Sequence, residues 1–379
     1  MDFELSQDHK VLQDAVRDFV NKEIKPIAMK IDEDHYIPDE LVKKMGEMGF
    51  LGSYLPEEYG GAGLDMLSYA IVVEEVSKAC GSSGVLISAH TSLASGPIYT
   101  FGTEEQKKKW LPALNSGETI GCFLLTEPDA GSDAGGTATS YRREGDEFVI
   151  NGSKTFITNG GYLGTGVLLA SFDRSLKHKG ISAFIVDLKS PGVTILKNEN
   201  KMGIRGSYTT AFAFDNLRVP VENLLGKEGK GFNVAMDTLN GGRIGIASQA
   251  LGIAEGAFER ALAYSKERKQ FGQPISEFQG IQFKLADMWT RIETSKLLTY
   301  RAACLKDAKK SYTMESAMCK LHASETATYV TKEAIQVHGG YGYIVDYEVE
   351  RMYRDAKITE IYEGTNEVQR VVIAKLLLS

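Results

Sequence analysis

The sequence predicts an α+β multidomain protein: an N-terminal all-α domain over residues 1–120, a middle antiparallel β domain over 121–228, and a C-terminal four-helix bundle over 229–379. Three observations carry that expectation. Apolar residues recur at helical spacing on both sides of a middle third in which they alternate. That middle third is rich in branched and aromatic residues and carries Asn-Gly turn dipeptides. The last third holds helical runs longer than 20 residues with short connections, as an antiparallel bundle does. Helix, strand, helix is not the order of a doubly wound α/β protein.

Element by element, Ser6 caps a helix whose apolar face is Val11, Leu12, Ala15, Val16, Phe19 and Val20. Pro26 and Pro38 punctuate this region, Tyr59 to Gly63 reads as a loop, and Met66 to Val85 reads as one mostly apolar, buried helix. Thr103 opens another helix with capping character. From Gly121 the period is that of strands: Phe148–Ile150, Lys154–Thr158, Val167–Phe172, Ile181–Val186, Val193–Leu196 and Thr209–Phe214. Asn151-Gly152 and Asn159-Gly160 suit hairpins or tight loops. After the glycine-rich exit Gly226–Gly231, helices are expected from about Phe232 to Arg268, Phe278 to Lys309, Met314 to Val337 and Glu367 to Leu378.

Composition narrows the function classes. With 43% hydrophobic and 25% charged residues the chain is an ordinary globular one, and no apolar run reaches the length of a bilayer-spanning helix. A net charge of -7 argues against general attraction to nucleic acid or anionic membrane. The start MDFELSQDHK has no charged-then-apolar leader and reads as an unprocessed cytoplasmic N-terminus. Cys80, Cys122, Cys304 and Cys319 are widely spaced, which fits reduced, buried thiols, and the six histidines show no metal-ligand spacing.

Several stretches carry chemistry. Gly226–Gly231 lacks the phosphate-loop arrangement, and Gly339-Gly340-Tyr341-Gly342 follows a helix where a dinucleotide fingerprint follows a strand. Both therefore read as turns or helix ends. In LTEPDAGSD (125–133), Thr126, Ser132 and the backbone near Gly131 either bind a phosphate or ring carbonyl or form an ordinary polar loop. Phe156 and Thr158 share a strand face that meets either a ligand or a sheet. Arg268 is placed to pair with a pyrophosphate, as any exposed arginine is. Asn240-Gly241-Gly242-Arg243 puts two glycines inside a helix at a cost of about 1 kcal/mol each, implying a bend or a close approach. Glu363, between Tyr362 and Gly364 on a helix-to-helix turn, is either a general base facing a cavity or a solvated loop carboxylate.

Taken together, LTEPDAGSD (125–133), KTFITNG (154–160), ERKQFG (267–272), QVHGGYG (336–342) and IYEGTNEVQR (361–370) resemble the acyl-CoA dehydrogenase family nearly end to end, in the family's order and spacing. The resemblance implies that family's fold, with FAD held between the β domain and the bundle and completed by an adjacent subunit of a homotetramer, a dimer of dimers. Carried over by position, Phe123, Leu125, Thr126 and Ser132 line the flavin, Ser132 also nears the CoA chain, and Phe156, Ile157 and Thr158 cover the ring. Relatives often carry tryptophan at the position of Phe156. From the partner, Arg268, Phe271, Gln279, Gln336, Gly339 and Gly340 reach the pyrophosphate and adenosine, with Thr365 and Glu367 on the adenine side. Asn240, where several relatives carry aspartate, Arg243, Tyr362 and Gly364 border the acyl-CoA, and Gln249 and Thr359 fill the floor of the acyl pocket as in short-chain members.

Chemically, the resemblance makes Glu363 the base that removes the α-proton of an acyl thioester while the β-hydrogen leaves as hydride to the flavin N5, giving a trans-2-enoyl-CoA. An electron-transferring flavoprotein is the implied acceptor. In the isovaleryl branch the base comes from the position of Gly242, which cannot serve here. Three other readings share the resemblance: a glutaryl-CoA or alicyclic acyl-CoA dehydrogenase with the same base, a DNA-associated flavoprotein relative, and an acyl-CoA oxidase. The charge of -7 disfavours the DNA-associated branch, and the end of the chain at Ser379 disfavours oxidases, which carry a further domain.

Overall fold

The computed structural model describes residues 3–379. The N-terminal third is helical: α1 (Gln7–Phe19), α2 (Ala28–Asp34), α3 (Asp39–Glu47), α4 (Met66–Ala79), α5 (Gly81–Ser88), α6 (Gly96–Phe101) and α7 (Glu104–Asn115). Ser6 Oγ accepts the His9 N–H at 3.2 Å, and Thr103 forms a full capping box with Gln106.

The expected single helix from Met66 to Val85 is broken. Cys80 leaves helical geometry at φ -148°, ψ 104°, ending α4 before α5 begins. Side chains from distant helices take the carbonyls on either side of the break: Arg351 donates to Ala79 O at 3.0 Å and Gln249 to Gly81 O at 2.9 Å. The period reported only that the stretch is apolar, not that two later helices would hold a break open. Between α5 and α6 the chain forms a π-helical stretch, Ala89–Ser95, which carries Leu93 to the site described below.

The middle third holds β1 (Cys122–Leu124), β2 (Ser140–Glu144), β3 (Glu147–Thr158), β4 (Thr165–Ser171), β5 (Ile181–Asp187), β6 (Val193–Asn198), β7 (Thr209–Pro220) and β8 (Leu224–Leu225). They form one sheet in the order β6-β7-β3-β2-β4-β5-β8, with β1 beside β4. Most pairs are antiparallel, but β1 and β2 meet β4 in parallel. Asn151-Gly152 is not a turn. The two strands expected on either side of it are one strand, β3, with a register shift between Ile150 and Gly152, where Asn151 Oδ1 accepts the Asn216 N–H at 2.8 Å. Asn159 does turn the chain, at φ 65°.

The last third holds α8 (Gly231–Glu267), the small hairpin β9 (Lys269–Gln270) and β10 (Gln273–Pro274), α9 (Gln279–Asp307), α10 (Thr313–His338), α11 (Val349–Ile358) and α12 (Asn366–Leu378). The four expected helices are present, and α8 runs unbroken through Gly241-Gly242. The ten-residue α11 was not expected; it is too short for a periodic signal to stand out after the glycine- and tyrosine-rich turn before it. One hydrophobic core joins the two helical segments, since Val16, Ile71 and Val76 pack in the same cluster as Leu251, Met288 and Ala323. Within it, Glu74 and Glu255 are buried beside the partly buried Lys78 and Lys296, and burial raises the Glu74 carboxyl above its ordinary value. Three cysteines are buried as expected, but Cys304 is exposed. Among the described residues no helix is long and apolar enough to cross a membrane.

Candidate active site

Glu363 sits on the turn between α11 and α12, at φ 53°, followed by Gly364 at φ 91°. A glutamate in left-handed geometry is strained and needs its surroundings to hold it. Gln369, in the first turns of α12, does part of this: its amide donates to Gly364 O at 2.8 Å and Glu363 O at 3.3 Å. The carboxylate points inward. Its Oε2 is buried without a hydrogen-bond partner among the described residues.

The opposing wall is α8. A Cβ added to Gly242 would overlap Glu363 Oε2 and lie 2.9 Å from its Cδ and 2.7 Å from Leu93 Cδ2. The glycine doublet thus answers to close approach, not to a bend. One residue on, Arg243 is buried, with Nη1 donating to Asn240 Oδ1 at 2.8 Å and its Nε unpartnered. Burial pushes the Glu363 carboxyl up to about 8, against the opposing pull of Arg243 and Lys320. A carboxyl in that range, free of hydrogen bonds, suits proton abstraction near neutral pH.

Tyr362 faces the other way. Its phenol donates a short hydrogen bond to Gln249 Oε1, and its ring packs with Val85, Ile204 and Ile246. Gln249 is fully buried and spans from Tyr362 to Gly81 O. Thr359 is also fully buried, its hydroxyl bonded to Ala356 O at 2.7 Å within its own helix end. The structure therefore brings Tyr362 to Gln249 and Glu363 to Gly242, all against α8, and pairs Arg243 with Asn240 on that helix, whereas Thr359 bonds only within its own helix end.

The candidate cofactor residues form two groups. On the sheet, the LTEPDAGSD segment is tied to β3: the Thr155 N–H donates to Thr126 O at 2.9 Å, and buried Lys154 reaches Glu127 Oε1 at 2.7 Å and Leu125 O at 2.9 Å. Phe156, at φ 57° beside a second register shift in β3, is 63% exposed, Thr158 is half-buried and Ser132 is exposed. Ile157 and Phe123 are instead packed in the core, so contact with a ring from these two would come through their backbone.

At the end of the bundle, Arg268, Gly339 and Gly340 line a cavity of about 480 Å³ with Tyr264 and Tyr341, the Arg268 guanidinium lying over the Tyr341 ring. Phe271 is 94% exposed, and Gln279 and Gln336 are exposed as well. A Cβ at Gly339 or Gly340 would meet nothing, so the backbone there is open to a ligand. An arginine beside unobstructed backbone suits a diphosphate, and an exposed aromatic on a sheet suits a planar ring, so both groups fit FAD. Thr365 caps α12, its hydroxyl accepting the Val368 N–H at 3.3 Å, and Glu367 is exposed in the first turn.

Sequence reasoning missed Lys320, Leu93 and the Lys154–Glu127 pair. A buried lysine at a helical position looks like any surface lysine until the neighbouring elements are in place.

The chain matches the models of the acyl-CoA dehydrogenase N-terminal domain over residues 6–118, middle domain over 122–217 and C-terminal domain over 229–378. It is 56% identical to the short-chain specific acyl-CoA dehydrogenase of Clostridium acetobutylicum, covering 99% of each chain. It superposes on the butyryl-CoA dehydrogenase of Megasphaera elsdenii with a TM-score of 0.98 at 47% identity over 100% of both chains. A chain in the structure of the electron transferring flavoprotein of Acidaminococcus fermentans gives a TM-score of 0.98 at 51% identity, again over 100% of both. With all three domain models matched in order and a buried, unpartnered carboxylate at the junction of its helices, the chain belongs to the acyl-CoA dehydrogenase family, which consists of FAD-dependent oxidoreductases.

Proposed function

We propose that this enzyme dehydrogenates a short-chain acyl-CoA between its α and β carbons, with Glu363 as the base. The observation that carries the reading is the Glu363 carboxylate, whose Oε2 is buried, unpartnered and pressed against Gly242 on a strained turn. An α-proton of a thioester is weakly acidic, so its removal needs a desolvated carboxylate and stabilisation of the developing enolate. The Glu363 backbone N–H, displayed by the left-handed turn, is the chain's own donor for that oxygen. FAD, when bound, supplies the hydride acceptor for the β-hydrogen. On the sheet, Phe123, Leu125, Thr126, Ser132, Phe156, Ile157 and Thr158 would hold its ring.

Arg268, Phe271, Gln279, Gln336, Gly339 and Gly340, with Thr365 and Glu367, would hold the diphosphate and adenosine. The two groups lie on different domains, which supports a site completed by a second copy in a homotetramer. Exposed Phe271, Phe283, Trp289 and Tyr343 give the bundle an apolar surface for such a partner. Gln249 and Thr359 close the floor of the acyl pocket, and the similarity to the Megasphaera butyryl-CoA dehydrogenase supports a short acyl chain. The similarity to a chain solved with an electron transferring flavoprotein supports that class of acceptor.

Glu363→Gln tests the reading. The amide is nearly isosteric and cannot take a proton, so the variant is expected to hold FAD and bind butyryl-CoA without anaerobic bleaching of the flavin. Bleaching at the parent rate would eliminate Glu363 as the base.

A further inference from the structure

Lys320 lies on α10 with its side chain fully buried, yet no carboxylate lies within ion-pair distance of it among the described residues. A buried ammonium without a carboxylate partner is costly, so its hydrogen bonds must do something the fold cannot do more cheaply with an apolar side chain. Those bonds converge on the turn that carries Glu363. Nζ donates to Gly364 O at 2.9 Å and to Asn366 Oδ1 at 3.0 Å. Ser324, one helical turn further along α10, donates to the same Asn366 oxygen at 3.0 Å, and Gln369 donates to the same Gly364 carbonyl at 2.8 Å. Asn366 opens α12, so this one cation ties the residue after Glu363 to the start of the next helix.

We infer that Lys320 is a positioning residue for proton abstraction: it clamps the Glu363–Gly364 turn in its left-handed geometry and, when protonated, sets a positive charge beside the carboxylate. The inference rests on Glu363 being the base. The charged and titratable groups facing that carboxylate are Arg243 from α8, Lys320 from α10, Tyr69 from α4 and the adjoining Tyr362, while Glu360 and Glu367 act on Lys320. Arg243, the other cation of this set, is hydrogen-bonded to Asn240 on its own helix and, among the described residues, makes no hydrogen bond to the turn. Both cations oppose the effect of burial on Glu363. Removing the Lys320 charge leaves burial less opposed, and the carboxylate then holds its proton to higher pH.

The test uses the FAD-loaded enzyme with Lys320→Met, which removes charge and donors, and Lys320→Gln, which keeps donors and removes charge. Anaerobic flavin reduction by butyryl-CoA is followed across pH, with FAD content and butyryl-CoA affinity measured alongside. The midpoint of the rate profile is expected to move up by about one pH unit or more in both variants, a loss of about tenfold at pH 7, with affinity changed less than about threefold. If Lys320→Met does not retain FAD, Lys320→Gln decides the matter. An unshifted midpoint, or a loss that is uniform across pH and follows FAD content, overturns the inference and leaves Lys320 a structural residue. Glu363→Gln separates the premise from the inference: flavin reduction in that variant removes the base itself, whereas an inert Glu363→Gln with unshifted Lys320 variants overturns only the role of Lys320.

Discussion

Gly242 on α8 and Glu363 on the turn before α12 share one space: a Cβ on the first would overlap Oε2 of the second and sit 2.9 Å from its Cδ. The carboxylate can take this position only because the helix opposite has no side chain there. Gly242→Ala keeps the helix, and by propensity favours it, but displaces the carboxylate. A misplacement of about 1 Å costs on the order of 100-fold in rate. Single-turnover flavin reduction should fall by about that factor with FAD content unchanged, and a near-normal rate would show that the carboxylate has another resting place.

Glu363 also makes stability depend on pH. Its carboxyl is raised from 4.5 to about 8, so between those values the unfolded chain gives up a proton that the folded site retains. The contribution is fully present below about pH 4.5 and is lost as pH rises through about 8. Glu363→Gln removes the dependence. The variant is expected to match the parent near pH 5 and to exceed it at pH 8.5 by on the order of 1–3 kcal/mol. Thermal unfolding at the two pH values checks this, and an equal offset at both would contradict it.

Gln249 is held between Tyr362 and Gly81 O and is fully buried, which makes it a fixed wall and not a flexible one. An open pocket gains about 0.8 kcal/mol per methylene, so octanoyl-CoA would beat butyryl-CoA by roughly 3 kcal/mol, on the order of 100-fold. A closed floor reverses this. kcat/KM is expected to fall from butyryl- to hexanoyl- to octanoyl-CoA, and Gln249→Ala should flatten that series. A rise along the series in the parent enzyme would sink the short-chain reading.

Arg268 lines the open cavity at the end of the bundle, away from Glu363 in the fold. If a second copy completes the FAD site, Arg268→Ala should release FAD while leaving the turn at Glu363 folded. Light scattering is expected at four times the chain mass for the parent enzyme. A monomer that retains FAD in full would contradict the shared site.

The alternation of period along the chain determined the three-part order of helix, sheet and helix, because each element's own apolar spacing is local information. The caps at Ser6 and Thr103 were legible for the same reason. The motifs around residues 125–133, 154–160 and 361–370 carried the family resemblance that the domain models bear out, although residue type alone left each of them an ordinary structural alternative. What the tertiary structure decided are the contacts between residues far apart in sequence. The break at Cys80 exists because Arg351 and Gln249 take the carbonyls it frees. Asn151-Gly152 is a bulge because Asn216, across the sheet, binds it. Lys320 reads as any helical lysine until α12 arrives to bring Gly364 O and Asn366 Oδ1 onto its ammonium. Burial and electrostatics are properties of what surrounds a side chain, and at Glu363 those surroundings come from α8 and α10, elements that no local pattern assigns to one another.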